Sequence, residues 1–152
     1  MPKELRGNSK QVRALGTYVK LMRAAESITA RVHKHLSSVG LTVSQFGVLE
    51  VIFHLGPLSQ RDLGRKILRS SGNITMVIDN LEKRGLVRRE RDASDRRMFI
   101  VHLTDEGQKL IEKIFPSHAA LITRELSVLK AADQKALGDL CKKVGVGVGN
   151  RN

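Results

Sequence analysis

Aromatic residues make up only 3% of this 152-residue chain, with no tryptophan, one tyrosine and four phenylalanines. So few rings argue against the stacking platforms that hold single-stranded nucleic acid. The single cysteine, Cys141, can form neither an internal disulfide nor a cysteine-based metal site, which agrees with a reducing compartment. No stretch approaches the roughly 18 to 20 uncharged apolar residues needed to span a bilayer, and Met1 to Lys10 lacks the apolar run of a signal peptide. A cytoplasmic protein with no membrane partner is the expectation. Nor is there a nucleophile elbow, a phosphate-cradling glycine loop or a His-Glu-x-x-His pattern, so neither catalytic residues nor a cofactor are expected. His33 and His35 stand two apart on a helix and point in nearly opposite directions. With His54, His102 and His118 they read as solvated or core histidines, and no metal site is expected.

Acid is also scarce. Fifteen Asp and Glu stand against 27 Lys and Arg, a formal charge of +12, and the natural partner of such a chain is a polyanion bound with release of counterions. The basic residues are concentrated: Lys83, Arg84, Arg88, Arg89, Arg91, Arg96 and Arg97 fall in one short stretch beside only Glu90, Asp92 and Asp95. The 41% of hydrophobic residues suffices for the core of one ordinary domain, and no internal repeat is apparent.

Helical periodicity begins near Lys10 and lasts to Ser37, with Val12, Leu15, Val19, Met22, Ala25, Val32 and Leu36 on one stripe. A helix of about 27 residues is roughly 40 Å long, more than a small domain can cover, so a second subunit is its natural cover. Thr42-x-x-Gln45 has the form of a capping box and opens a second helix carrying Phe46, Val48, Leu49, Ile52 and Phe53, which ends at Gly56-Pro57. Ser59-x-x-Asp62 caps a short third helix bearing Leu63, Ile67 and Leu68. A fourth helix, capped by Ser70 or Ser71, buries Ile74, Val77, Ile78 and Leu81 and turns Gly72, Asn73, Thr75, Met76, Asp79 and Asn80 outward. Lys83 and Arg84 meet its negative dipole end, and Gly85 provides a left-handed cap.

The period then changes to two. Leu86 to Arg91 and Met98 to Leu103 read as strands joined by the polar tip Asp92 to Arg97. Thr104 caps a fifth helix, with Asp105 and Glu106 in its first turn and Pro116 expected to kink it; a last helix runs near Lys130 to Val144. Cys141 lies on the apolar face of that helix and reads as inert packing rather than an oxidant sensor. The expected order is α-α-α-α-β-β-α-α.

Two short helices joined by a polar turn and followed by a basic hairpin suit duplex DNA, whose major groove admits one helix and is read by side chains near that helix's N-terminus. Ser70, Ser71, Asn73, Thr75 and Met76 are the candidates there, while Ser59, Gln60 and Arg61 open the preceding helix. Arg88 and Arg91 join them from the hairpin, whose tip carries Arg96 or Arg97 toward an adjacent minor groove. Asp95 is expected to pair with a neighbouring arginine and hold the tip in shape. The chain is thus expected to be mainly α with a small β-hairpin, a winged helix-turn-helix. A charge-driven architectural DNA-binding protein without sequence preference is the alternative.

The run from Ser70 to Leu110 resembles the MarR family of bacterial transcriptional regulators. The likeness rests on Asp79-Asn80-Leu81-Glu82-Lys83-Arg84-Gly85-Leu86-Val87, on Asp95-Arg96-Arg97 before the return strand, and on Leu103-Thr104-x-x-Gly107. It implies a homodimer joined through its N- and C-terminal helices, a near-palindromic operator, and repression relieved by a small aromatic or oxidant effector. On that basis residues 10–40 form an N-terminal dimerisation helix, 42–104 the DNA-binding lobe, 105–145 the C-terminal dimerisation helices and 146–152 a flexible tail. An effector would sit between the dimer helices and the lobe, with Tyr18, Met22, Phe46 and His54 as candidate lining residues. One departure stands out: members often carry arginine directly after the recognition-helix threonine, where this chain has Met76, so a bidentate arginine–guanine contact is missing there.

Overall fold

A computed structural model describes residues 7–67 and 73–147, and gives nine elements in chain order. These are α1 (Ser9–Ser37), α2 (Val43–Leu55), β1 (Leu58–Ser59), α3 (Gln60–Lys66), α4 (Ile74–Lys83), β2 (Val87–Arg91), β3 (Phe99–Leu103), α5 (Asp105–Leu126) and α6 (Ala131–Val146). The chain divides into two compact units between Phe115 and Pro116. The division falls inside α5, which contains Pro116, a residue with no N–H to give to the helix.

The helix starts follow local chemistry. At α2 both capping-box bonds form: the Gln45 N–H donates to Thr42 Oγ1 and the Thr42 N–H donates to Gln45 Oε1, each at 3.1 Å. α1 has the same reciprocal pair between Asn8 and Gln11, a cap whose first residue, Asn8, lies before the periodic stretch. Two of the first unit's helices end alike. Gly40 and Gly85 adopt φ of 76° and 72°, a region that L side chains rarely enter. In each case the next residue reaches back, Leu41 N–H to the Leu36 carbonyl and Leu86 N–H to the Leu81 carbonyl, both at 3.0 Å. Leu41 and Leu86 are then buried, so the turn that ends each helix also feeds the core.

That core joins α2, α3, α4, β2, β3 and the start of α5. Leu49, Leu63, Ile78, Leu81, Val101 and Ile111 are wholly buried there; each contributes about 1.5–3 kcal/mol by leaving water. β2 and β3 form the hairpin in the register Val87↔Leu103 to Arg91↔Phe99. β1, which the sequence did not disclose, pairs with the other edge of β3 through Leu58↔Val101 and Ser59↔Ile100, giving a three-stranded antiparallel sheet in the order β1-β3-β2. A two-residue strand is too short to show a period. Ile67, expected on the buried side of α3, is instead its extended C-cap and half-buried.

α1 is amphipathic but mostly uncovered within the single chain. Val32 and Leu36 are buried, whereas Val12, Leu15, Val19 and Met22 of the same stripe are exposed. In the second unit, Gln134 Nε2 donates to the carbonyls of Leu126 and Leu129, both at 3.0 Å, which fixes the turn between α5 and α6. α6 leaves Leu137, Leu140 and Val144 exposed. Cys141 is exposed as well, which corrects its expected burial: an apolar stripe shows which face seeks cover, not that the same chain supplies it. Of the expected tail, residues 148–152 lie outside the described residues, and α6 itself continues through Val146.

Candidate nucleic-acid interface

The surface of interest is built by α3, α4 and the hairpin. α3 begins at Ser59, whose buried hydroxyl accepts from the Asp62 N–H at 3.1 Å and so serves as the helix cap. Beyond it, Gln60 is half-buried and Arg61 exposed. Ser70 and Ser71, expected to cap the next helix, lie outside the described residues. α4 starts at Ile74 with Asn73 at its N-cap in a helical conformation and no side-chain cap bond. Ile74, Ile78 and Leu81 are buried, Val77 and Asp79 are half-buried, and Asn73, Thr75, Met76 and Asn80 face solvent. Met76 is 63% exposed, so a large apolar side chain stands at the front of this helix without internal work.

A cleft of about 340 Å³ brings distant candidates together, for Ser59, Gln60, Arg61 and Ile74 line it with Arg97, Met98 and Phe99. Gln60, Arg61 and Arg97 thus share one surface.

The hairpin arginines divide by task. Arg88 pairs with Glu90 at 3.1 Å, and Glu90 also lies 3.1 Å from His102 Nε2 on the opposite strand. Arg91 is occupied within the hairpin itself: its Nη1 donates to the Arg96 carbonyl at 2.7 Å and its guanidinium lies 4.9 Å from the centre of the Phe99 ring. That contact braces the tip with a cation–π interaction. At the tip, the Asp95 carboxylate accepts from Arg97 Nε and from the Arg97 N–H, both at 3.1 Å. These bonds, the side-chain one foremost, hold the Asp95 carboxyl below the usual aspartate range. The expected pairing of Asp95 with a neighbouring arginine is therefore present. Arg97 nevertheless remains 91% exposed, and among the described residues the exposed Arg96 side chain has no hydrogen bond or ion pair.

Arg89 was not among the expected site residues, and it is the hub of the surface. Its side chain is 17% exposed and pairs with Asp79 and with Glu82, the latter at 3.4 Å. Its Nε donates to Gln60 Oε1 at 3.2 Å and its Nη2 points to the Thr75 carbonyl at 3.4 Å. Glu82 Oε2 also accepts the Arg89 N–H at 3.1 Å. Gln60 completes the mesh by donating from Nε2 to Thr75 Oγ1 at 3.0 Å. Strand alternation carried the signal: Arg89 shares the inward face of β2 with buried Val87, and an inward arginine must find acceptors.

The hairpin's base is tied to α5 by Thr104. Its hydroxyl donates to the Gly85 carbonyl at 2.5 Å and accepts from the Gly107 N–H at 3.1 Å, while its own N–H donates to the Leu86 carbonyl at 3.1 Å. A Cβ on Gly107 would meet that carbonyl oxygen at 2.0 Å, which accounts physically for the spacing Thr104-x-x-Gly107.

The four candidate effector-lining residues are placed differently. Phe46 is buried in the core, Tyr18 and Met22 are exposed on α1, and His54 is exposed with its ring 4.9 Å from that of Phe115. Among the described residues no cluster of three or more His, Cys, Asp or Glu could hold a metal ion, and no helix is long and apolar enough to cross a membrane.

The sequence model of the MarR family matches residues 41–99, the stretch from the start of α2 to the hairpin's return strand. The chain is 37% identical to the HTH-type transcriptional regulator MhqR of Bacillus subtilis over 134 residues, 88% of this chain and 92% of that one. The chain belongs to the MarR family. This MarR-family regulator also matches the structure of Sco3205 from Streptomyces coelicolor, solved with DNA, with a TM-score of 0.82, covering 95% of this chain and 91% of that one at 23% identity. A second match is BpsR of Bordetella bronchiseptica, whose DNA binding is regulated by 6-hydroxynicotinic acid. Its TM-score is 0.77 at 26% identity, covering 86% of this chain and 98% of that one. The MarR protein described here is accordingly a DNA-binding transcriptional regulator with a winged-helix fold, in which the β2–β3 hairpin is the wing.

Proposed function

We propose that this MarR protein is a homodimeric, sequence-specific repressor that binds a near-palindromic operator in the cytoplasm and has no catalytic activity. Two recognition helices enter successive major grooves about 10 base pairs apart, while each wing sets Arg96 and Arg97 against a flanking minor groove. The observation that carries this reading is the composition of the α4 front: Asn73, Thr75 and Met76 stand outward on a helix braced from behind by Arg89, beside a cleft lined by Arg61 and Arg97. A purely electrostatic binder has no use for an uncharged, shaped helix front. The uncovered stripes on α1 and α6 support a second copy as their cover.

A small-molecule effector would release the operator by changing the separation of the two lobes. The regulation of BpsR by 6-hydroxynicotinic acid supports an aromatic ligand class for this chain as well. Tyr18, Met22 and His54 are proposed to face that ligand once the dimer forms, with Phe46 behind them.

Selection of genomic fragments on the immobilised protein, followed by hydroxyl-radical footprinting, tests the reading. Two protected half-sites about one helical turn apart are expected. Uniform protection along every fragment would favour the architectural binder, for which the +12 charge alone suffices.

A further inference from the structure

We infer that Gln60 sets the hydrogen-bond polarity of Thr75, so that the Thr75 hydroxyl reads the major groove as a donor. The inference rests on the reading that α4 presents its outer face to base edges. Its starting point is Arg89, whose guanidinium can only donate. The Gln60 atom 3.2 Å from Arg89 Nε is therefore the carbonyl oxygen, and the atom 3.0 Å from Thr75 Oγ1 is the amide nitrogen. That nitrogen also only donates, so Thr75 Oγ1 accepts along this line and its proton points elsewhere.

The neighbouring carboxylates do not compete for that proton. Asp79 and Glu82 both face Arg89, which holds the whole arrangement between α3, α4 and β2. Thr75 is exposed, so its free side is the one presented to DNA. A donor there suits guanine N7 and O6 or thymine O4, while Gln60 leaves Oγ1 only one lone pair for a cytosine N4 or adenine N6 amino group, which disfavours those bases. Gln60, half-buried behind the helix front, is thus a positioning residue for specificity, acting through Thr75.

The test inverts the polarity while keeping the shape. In Gln60→Glu one carboxylate oxygen retains Arg89 and the other accepts the Thr75 proton, which leaves only lone pairs facing outward. The full-length wild type, Gln60→Glu, Thr75→Ser and Thr75→Val are each used to select from a pool of randomised duplexes, and the bound fraction is sequenced. The wild type and Thr75→Ser should favour guanine or thymine at one position per half-site, and Thr75→Val should flatten that preference. Gln60→Glu should shift the same position toward cytosine or adenine by roughly fivefold or more in relative enrichment, leaving the other positions alone. If Gln60→Glu does not fold, Gln60→Ala replaces it and should relax that position, because the hydroxyl is then free to rotate.

An unchanged preference in the Gln60 variants, with affinity lowered uniformly, would overturn the inference. So would a Thr75→Val profile identical to the wild type, which leaves the regulator reading intact because the pool still converges. A wild-type pool that converges on no sequence defeats the underlying reading and this inference with it.

Discussion

The Arg89 guanidinium on β2 pairs with the Asp79 carboxylate on α4, so the wing and α4 are joined through an ion pair. Glu82 flanks the same guanidinium, and Gln60 extends the mesh to α3. α3, α4 and the wing are therefore set relative to one another by a side chain that is itself mostly shielded. Separate bonding within each element would leave their mutual angles to apolar packing alone, which is less directional.

Replacing Arg89 by alanine strands Asp79, Glu82 and Gln60 together. We expect a loss of about 1–3 kcal/mol in stability, measured by urea denaturation, and a fall in operator affinity. Arg89→Lys should recover only part of both, since an ammonium cannot match the fork that reaches all of these acceptors. Wild-type stability in Arg89→Ala would show that the mesh is ornamental.

Gly107→Ala tests the junction between wing and α5. The added methyl would run into the Leu86 carbonyl, so the helix start must shift. A destabilisation of roughly 1–3 kcal/mol is expected, the usual cost of overpacking a tight site. Thermal melting that is unchanged or raised would contradict the close approach.

At the wing tip, Arg96→Ala and Arg97→Ala should each weaken operator binding and lower the slope of log affinity against log salt by about one, with the melting temperature nearly unchanged. Fluorescence anisotropy across a salt series separates this from a folding defect. Equal affinity of both variants and the wild type would remove the wing from the interface.

Asp95 gives a pH signature. Its carboxyl lies below the ordinary aspartate range, held there by the Arg97 side chain and then by the Arg97 N–H, against a small opposing effect of burial. With the folded value depressed, the contribution to wing order is complete above the ordinary aspartate value and is lost as pH falls through the lowered one. NMR titration of the Asp95 carboxyl should therefore show a midpoint below that of a free aspartate, rising toward it in Arg97→Ala. A midpoint at or above the ordinary value would mean that the tip pair does not persist in solution.

Features written in adjacent residues were legible before folding was considered. Thr42 and Gln45 stand three apart and cap each other, and Asp95 stands two from Arg97 and pairs with it. Gly85 ends α4 where the pattern breaks. The Arg89 mesh was not legible, because Gln60, Thr75, Asp79, Glu82 and Arg89 come together only when α3, α4 and β2 pack. A charge count groups Arg89 with the other wing arginines, although its strand face separates it from Arg88. β1 escaped for want of length. Cys141 shows the remaining limit: periodicity put it correctly on an apolar face, yet in the single chain that face is exposed.

The central claim is that the uncharged front of α4, held by Arg89 and flanked by the wing arginines, reads a specific operator. The measurement that tests it most directly is fluorescence anisotropy of the wild-type protein with an operator taken from genomic selection and with a scrambled duplex of the same composition, across a salt series. The account predicts a preference of roughly 10³ or more for the operator at physiological salt. Equal binding to both duplexes, declining together as salt rises, would contradict it.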